Sequence, residues 1–360
     1  MLRGSDGGVA RWRGLILPAI LVAVVIATVS CAGPVPRHDG PVTDHFDGRR
    51  FYNVPRVEKG FGEFLKWQFT RESQGTWRRD LAPVEAAPPP ERVEADLRVT
   101  FINHATVLLQ THGMNLLTDP IWSERASPFT NAGPQRYRAP GLRFRDLPPI
   151  DFVLLSHNHY DHMDAFSLRL LAEDHDPLFV VPLGNCFYLR RFGADRCREL
   201  DWWQRVDDEL PVSIRAVPVR HWSKRGLLDT NRALWAGYFI EAGRHRVYFA
   251  GDTGMGDHFS QVRERLGRPD LAILPIGAYL PRWFMSAQHI DPAEAVEAHR
   301  ILGAPQSMAI HFGTFRLADD GQEQPARELL AALDAAAIPP SEFWIPDNGD
   351  SRQWPPHARR

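Results

Sequence analysis

The sequence predicts an α/β protein in which two β-sheets pack together and helices cover their outer faces. Three observations carry this. Residues 97–118 read as a meander of strands. Beyond residue 150, short apolar runs alternate with helical segments. Histidines and aspartates recur just past the ends of those runs, where a rigid scaffold can present them. At 360 residues the chain supports one large or two ordinary domains. Its 44% apolar and 24% charged residues are ordinary for a globular protein. A net charge of −2 gives no electrostatic reason to expect nucleic acid as a partner.

Residues 1–31 read as an export signal. Arg3, Arg11 and Arg13 make a basic start, and an apolar run follows from Leu15 to Val29, interrupted by Pro18. Small residues then surround Cys31. A cysteine at that place resembles a bacterial lipobox, although Thr28 stands where leucine is usual. The alternative is an uncleaved anchor helix, short for a full span. Both readings place the rest of the chain outside the cytoplasm and on a membrane, as a cell-envelope lipoprotein in the first case. Residues 32–95 form an N-terminal arm, with weak helical spacing at Phe61, Phe64, Leu65 and Phe69 and a proline-rich connector from Pro83 to Pro90.

The main domain spans residues 96–350. Leu97 to Ile102 alternates with period two, and Val107 to Gln110 and Asn115 to Thr118 continue the meander, turning at His112-Gly113. A loop-rich insert runs from Ile121 to Pro149. Phe152 to Leu155 is a buried strand. Helices are expected at 165–172, 186–192, 259–266, 292–302 and 325–336, and strands at 179–181, 212–219, 235–240, 246–250, 271–276 and 307–310. The helix at 292 carries its own start signals: Asp291 as cap, Pro292 first, Glu294 one turn in. Cys186 and Cys197 could pair in an oxidising compartment, a geometry the sequence does not reveal.

The stretch that organises the chain is Ser156-His157-Asn158-His159-Tyr160-Asp161-His162. Three histidines and an aspartate within six residues are hard to bury, because each imidazole needs a partner. They fit a metal-ligand set of the imidazole-plus-carboxylate kind. On an extended backbone His157 and His159 point the same way. They can aim at one ion, while Asp161 and His162, past the bend, aim at another. Further ligands should sit at other strand ends. His221, Asp252 and His311 each follow an apolar run. Each alone is weak; together, in the same structural position as His157, they are strong.

With these residues the chain resembles the metallo-β-lactamase fold hydrolases, an αββα sandwich. The pattern is His157-x-His159-x-Asp161-His162, then His221, Gly251-Asp252-Thr253-Gly254 and His311. Thr118-Asp119-Pro120-Ile121-Trp122-Ser123, His221-Trp222-Ser223-Lys224-Arg225, Gln288-His289-Ile290-Asp291-Pro292 and Ala309 to Phe315 are similar to the branch that hydrolyses N-acyl-phosphatidylethanolamine as a phospholipase D. The resemblance implies two zinc ions, one held by His157, His159 and His221, the other by Asp161, His162 and His311, with Asp252 bridging. It also implies substrate contacts at Gln288 and His289 and a catalytic part for Asp161, Asp252 and His289. Iron or manganese would fit similar donors.

Two ions 3.5–4 Å apart can clamp the attacking and leaving oxygens of an in-line displacement, and a metal-bridging hydroxide is available near neutral pH. The expected reaction is therefore phosphodiester hydrolysis, with Asp161 a candidate proton shuttle to the leaving alkoxide. Asp119 and Asp164 are candidates to orient ligating imidazoles. For Asp119 the alternative is plain turn formation before Pro120; for His289, a helix-start role. Lys224 and Arg225 are candidates to neutralise phosphate, or are simply solvated. The expected partner is membrane phospholipid; a homodimer stays open. Two competing readings are a hydrolase of the same fold acting on lactones, amides or soluble phosphodiesters, and a surface lipoprotein that binds without turnover.

Overall fold

The computed structural model describes residues 35–56, 60–72, 75–84, 86–206 and 211–354. The expected export segment with Cys31 lies outside the described residues.

The arm contributes helix α1 (Phe61–Phe69), where the Glu63 carboxylate accepts the Gly60 N–H at 2.9 Å. Two apolar clusters join its described part to the main domain. Phe46 and Phe51 join Val219, Leu234 and Trp235. Trp67 joins Ala278, Phe284 and Met285.

Strands β1 (Leu97–Asn103), β2 (Thr106–Thr111), β3 (Met114–Thr118), β4 (Phe152–Leu154), β5 (Leu178–Pro182) and β6 (Cys197–Leu200) build one sheet. A second holds β7 (Arg205–Val206), β8 (Val212–Val217), β9 (Gly237–Ala242), β10 (His245–Phe249), β11 (Leu271–Pro275), β12 (Gln306–Ile310) and β13 (Phe343–Trp344). The last strand, β14 (Ser351–Trp354), pairs antiparallel with β1 and completes the first sheet just beyond residue 350. Each sheet is mixed. β14, β1, β2 and β3 run antiparallel, and β3 to β6 parallel. Likewise β7 to β10 run antiparallel, and β10 to β13 parallel.

Alternation sorts the side chains of the first sheet. Leu109, Leu116, Phe152, Leu154 and Val180 enter the large core that also holds the second sheet. Their neighbours Leu108, Leu117, Val153, Phe179 and Val181 pack on the other side, with Leu168 and Leu171 of helix α2 (Ala165–Asp174). Both faces are thus covered, which is why these strands read as near-continuous apolar runs.

The other helices are α3 (Cys186–Leu189), α4 (His258–Leu266), α5 (Arg282–Met285), α6 (Pro292–Leu302) and α7 (Gln324–Ala335). The face of α6 formed by Ala295, Ala298 and Leu302 joins the main core, as do Leu329 and Leu333 of α7. Burying one such leucine contributes about 1.5–3 kcal/mol. Asp291 caps α6 by accepting the Glu294 N–H at 2.9 Å, and Glu294 returns the bond to Asp291 N–H. Expected and observed boundaries agree within one or two residues at most elements. The expected helix over 186–192 is only briefly α: Arg190–Phe192 is a 3-10 turn, ended by Gly193 at φ 81°. Cys186 and Cys197 form a disulfide that ties α3 to β6.

Candidate metal centre

The seven expected donors all lie just past strand ends, and the fold gathers them into one buried cluster. His157, His159, Asp161 and His162 follow β4; His221 follows β8, Asp252 follows β10, and His311 follows β12. Close backbone approach makes this convergence feasible. A Cβ on Gly277 would sit 2.2 Å from the His311 carbonyl oxygen, and one on Gly251 would sit 2.4 Å from the Ser156 Cβ. Gly251 also holds φ 60°, so only glycine fits there without strain.

Two donor groups share one carboxylate. In the first, His159 Nδ1 lies 2.8 Å from His157 Nε2 and 3.2 Å from His221 Nε2. In the second, Asp161 Oδ2 lies 3.2 Å from His162 Nε2 and 3.3 Å from His311 Nε2. Asp252 stands between them. Its Oδ2 is 3.2 Å from His162 Nε2, 3.7 Å from His221 Nε2 and 3.9 Å from His157 Nε2, and its Oδ1 is 3.2 Å from His311 Nε2. His162 Nε2 and Asp252 Oδ1 are buried without a hydrogen-bond partner among the described residues. Lone pairs crowded together in a dry site, and left unsatisfied, are what a cation would satisfy. The donors therefore fit bound metal.

Partners on the far ring nitrogens turn the other nitrogens in toward the cluster. His157 Nδ1 lies 2.9 Å from Ser156 Oγ, whose own proton goes to Asp119 Oδ2 at 2.6 Å. His162 Nδ1–H donates to the same Asp119 oxygen at 2.7 Å. His221 Nδ1–H donates to the Gln288 carbonyl at 3.0 Å. Each ring thereby presents Nε2 to the cluster.

Asp119 is fully buried at φ 33° and also accepts the Ser156 N–H at 2.7 Å. It orients ligands as well as making the turn. Asp164 does not orient a ligand. Its carboxylate caps α2 through the Ser167 N–H and binds the Ser123 hydroxyl, tying the 121–149 insert to that helix. Arg225 does not face the cluster as a phosphate-neutralising group. Its guanidinium donates to the Asn158 and Met163 carbonyls and lies over the Tyr160 ring, so it braces the 157–162 loop from behind. His289 precedes the α6 cap by two residues, and its Nδ1 is 3.9 Å from Asp252 Oδ2. It belongs to the cluster, not to the helix start.

Charge is finely divided here. Burial opposes ionisation of Asp252, but His311 and His162 outweigh it and hold the carboxyl well below its usual range. Burial likewise opposes ionisation of Asp161, and His162 with hydrogen bonds from His104 and His311 reverses it. Burial, with His162 and His221 nearby, keeps His157 neutral.

Two contributors were not visible in the sequence reading. Asn53, from the arm, accepts the His221 N–H at 3.1 Å and donates to the His221 carbonyl at 2.9 Å. His104, in the β1–β2 turn, places Nε2 3.0 Å from Asp161 Oδ2. Neither sits in a histidine-rich motif. The only signal for His104 was its place at the end of an alternating strand.

Comparison with known proteins agrees with this architecture. Residues 114–312 match the Beta-lactamase superfamily domain. N-acyl-phosphatidylethanolamine-hydrolyzing phospholipase D 1 of Caenorhabditis elegans is 40% identical over 253 residues, covering 67% of this chain and 71% of that protein. An uncharacterized protein of Mycobacterium tuberculosis is 42% identical over 325 residues, 88% of this chain and 85% of its own. Among solved structures, the isothiocyanate hydrolase from Delia radicum gut bacteria shares the fold at a TM-score of 0.57 and 20% identity, covering 72% of this chain and all of that one. The chain therefore belongs to the metallo-β-lactamase fold superfamily, as a metal-dependent hydrolase in the branch of the N-acyl-phosphatidylethanolamine-hydrolysing phospholipases D.

Proposed function

We propose that the chain is a phosphodiesterase holding two zinc ions, and that it hydrolyses N-acyl-phosphatidylethanolamine to N-acylethanolamine and phosphatidic acid. The observation that carries this reading is the position of Asp252 between two groups of imidazoles, within 3.2–3.9 Å of both. Bound there, zinc would polarise phosphoryl oxygens and acidify water near neutral pH. Two carboxylates among seven donors leave a loaded site positive, which suits an anionic phosphodiester.

The side chains of Asp161 and His289 each keep 12% exposure, while those of Asp252, His162 and His311 are at 2% or less. The open side of the cluster is therefore the one that presents His159, Asp161 and His289, and substrate in this reading approaches there. In this reading water adds to phosphorus and the bond to the ethanolamine oxygen breaks. Asp161, ionised at rest, takes the proton released by the attacking water and passes it to that leaving alkoxide, and His289 and Gln288 hold the phosphoryl group in place. A lipid surface as the source of substrate is supported by exposed Phe64, Leu65 and Phe69 on α1 and Trp283 on α5, the short helix just before Gln288. No helix among the described residues is long and apolar enough to cross a membrane. Attachment would come from the first 31 residues, with Cys31 lipidated or the apolar run retained. The disulfide is in keeping with an oxidising, extracytoplasmic compartment.

The test uses residues 32–360 purified with zinc, beside Asp252→Ala. Each is incubated with N-acyl-phosphatidylethanolamine in detergent and the products are read by mass spectrometry. Zinc-dependent N-acylethanolamine and phosphatidic acid, absent with Asp252→Ala, support the reading. Their absence from protein shown to hold two metals would favour another ester or amide for the same centre. Incorporation of labelled lipid that Cys31→Ala abolishes would test the anchor.

A further inference from the structure

We propose that His104 is a positioning residue for the second metal position: it donates a hydrogen bond to Asp161 and holds that carboxylate where it can ligate. The role rests on the cluster binding metal and is independent of which ester is cleaved.

Three imidazoles converge on one oxygen. Asp161 Oδ2 lies 3.0 Å from His104 Nε2, 3.2 Å from His162 Nε2 and 3.3 Å from His311 Nε2. When a cation is held, the Nε2 lone pairs of His162 and His311 turn to it, and those nitrogens have no proton left to give Asp161. A buried carboxylate still needs a donor, and ligating carboxylates generally have one. His104 is the imidazole of the three that can keep that bond. Its other ring nitrogen, Nδ1, has no hydrogen-bond partner among the described residues. The proton of the neutral ring therefore sits on Nε2, facing an acceptor.

The ring is also held firmly enough to act as a fixed donor. His104 is 1% exposed and occupies the left-handed region at φ 50°, a conformation that non-glycine residues adopt rarely. Its N–H donates to Thr314 Oγ1 at 3.2 Å and its carbonyl accepts the His311 N–H at 2.7 Å. The β1–β2 turn of one sheet is thus stitched to the strand end of the other that carries His311. The ring packs 4.1 Å from His311 and edge-on to Phe315 at 5.3 Å. Asp161 is consequently fixed by the β1–β2 turn of its own sheet, not by its own loop, and that turn is braced by the second sheet through His311.

The experiment compares wild type, His104→Ala and His104→Gln. Each is stripped of metal, checked for a cooperative melt, and reloaded with cobalt(II). Stoichiometry, affinity against a chelator, and the visible cobalt spectrum are read. His104→Ala should weaken one of the two ions on the order of 10–100-fold. His104→Gln, whose side-chain amide offers N–H at a similar reach, should recover most of that affinity with an unchanged spectrum. Wild-type affinity for both ions in His104→Ala would overturn the role. So would a Gln variant as weak as Ala with an altered spectrum, since the imidazole itself would then be a ligand. Wild type that takes up no metal would overturn the metal reading and the role with it, whereas two tightly held ions without phospholipid turnover would leave the role standing and remove only the proposed substrate.

Discussion

Asp119→Asn tests whether one buried carboxylate sets the ring orientation of an imidazole in each donor group. Asp119 Oδ2 accepts the Ser156 hydroxyl at 2.6 Å and His162 Nδ1–H at 2.7 Å, while Oδ1 accepts the Ser156 N–H at 2.7 Å. In asparagine one oxygen becomes an NH₂ group. The Ser156 N–H requires the remaining oxygen, so the NH₂ must face Ser156 Oγ and His162 Nδ1. His162 would then have to accept at Nδ1 and carry its proton on Nε2, the nitrogen that faces the cluster. The Ser156 hydroxyl, no longer able to donate to residue 119, would turn its proton to His157 Nδ1 at 2.9 Å and push that ring into the same wrong tautomer. A protonated Nε2 cannot ligate. Loss of such a partner typically costs 10–100-fold in metal affinity, about 1.4–2.7 kcal/mol. Because asparagine is isosteric and keeps one acceptor, the metal-free protein should melt close to wild type. Asp119→Ala, which strands three buried donors at about 1–3 kcal/mol each, should not. Chelator competition measures the metals and thermal denaturation the fold. Wild-type affinity for both ions in Asp119→Asn would refute the tautomer reasoning.

Three further outcomes follow from the fold. His45 clasps the arm to the main domain through Asp201 at 2.8 Å, while its other ring nitrogen meets Asp44 of the arm at 2.6 Å. Burial opposes its charge, but those two hydrogen bonds outweigh burial and raise its pKa above 6.5. The clasp therefore contributes fully below pH 6.5 and is lost as pH rises through the raised value. The His45 ring also stacks on Trp202 at 4.3 Å. The melting temperature should fall across that window in wild type and less in His45→Phe, which can keep that stack; matching profiles would disprove the clasp. Removing the disulfide by Cys186→Ala with Cys197→Ala opens a loop with a separation of 11 residues and should cost about 3 kcal/mol in denaturant unfolding. Asn53→Ala strips the arm's hold on the His221 backbone and should cost about 1–3 kcal/mol, with faster loss of metal to a chelator.

The sequence was most legible where chemistry and periodicity coincided. His157 to His162 stood out because four donors in six residues follow a buried strand, and α6 because Asp291, Pro292 and Glu294 are adjacent start signals. What stayed hidden depended on distance along the chain. Asn53 meets His221 across 168 residues, and His104 meets Asp161 across 57. Arg225 read as a charge beside a turn because its partners, the Asn158 and Met163 carbonyls, lie more than sixty residues earlier. The strands that escaped notice, β6, β7, β13 and β14, have two to four residues each, too few for period two to declare itself.

One rule would have recovered part of what was missed. β2 is antiparallel to both β1 and β3, and β4 is parallel to β3, so β1, β3 and β4 run in one direction. By the same reckoning β8, β10 and β12 run together in the second sheet. The residues within four positions past those six strands include His104, Asp119, His157, His221, Asp252 and His311. Four are expected metal donors; the other two are the groups that hold donors in place. The carboxyl ends of strands running in one direction bring their loops to one edge of a sheet, and ligands gather there in open α/β sheets. Here two such edges meet, one from each sheet, which is why the centre needs both sheets and why Asp252, from the second, can reach His162, from the first. Direction of travel, read from pairing alone, thus marks His104 and Asp119 as members of the centre before any side-chain distance is known.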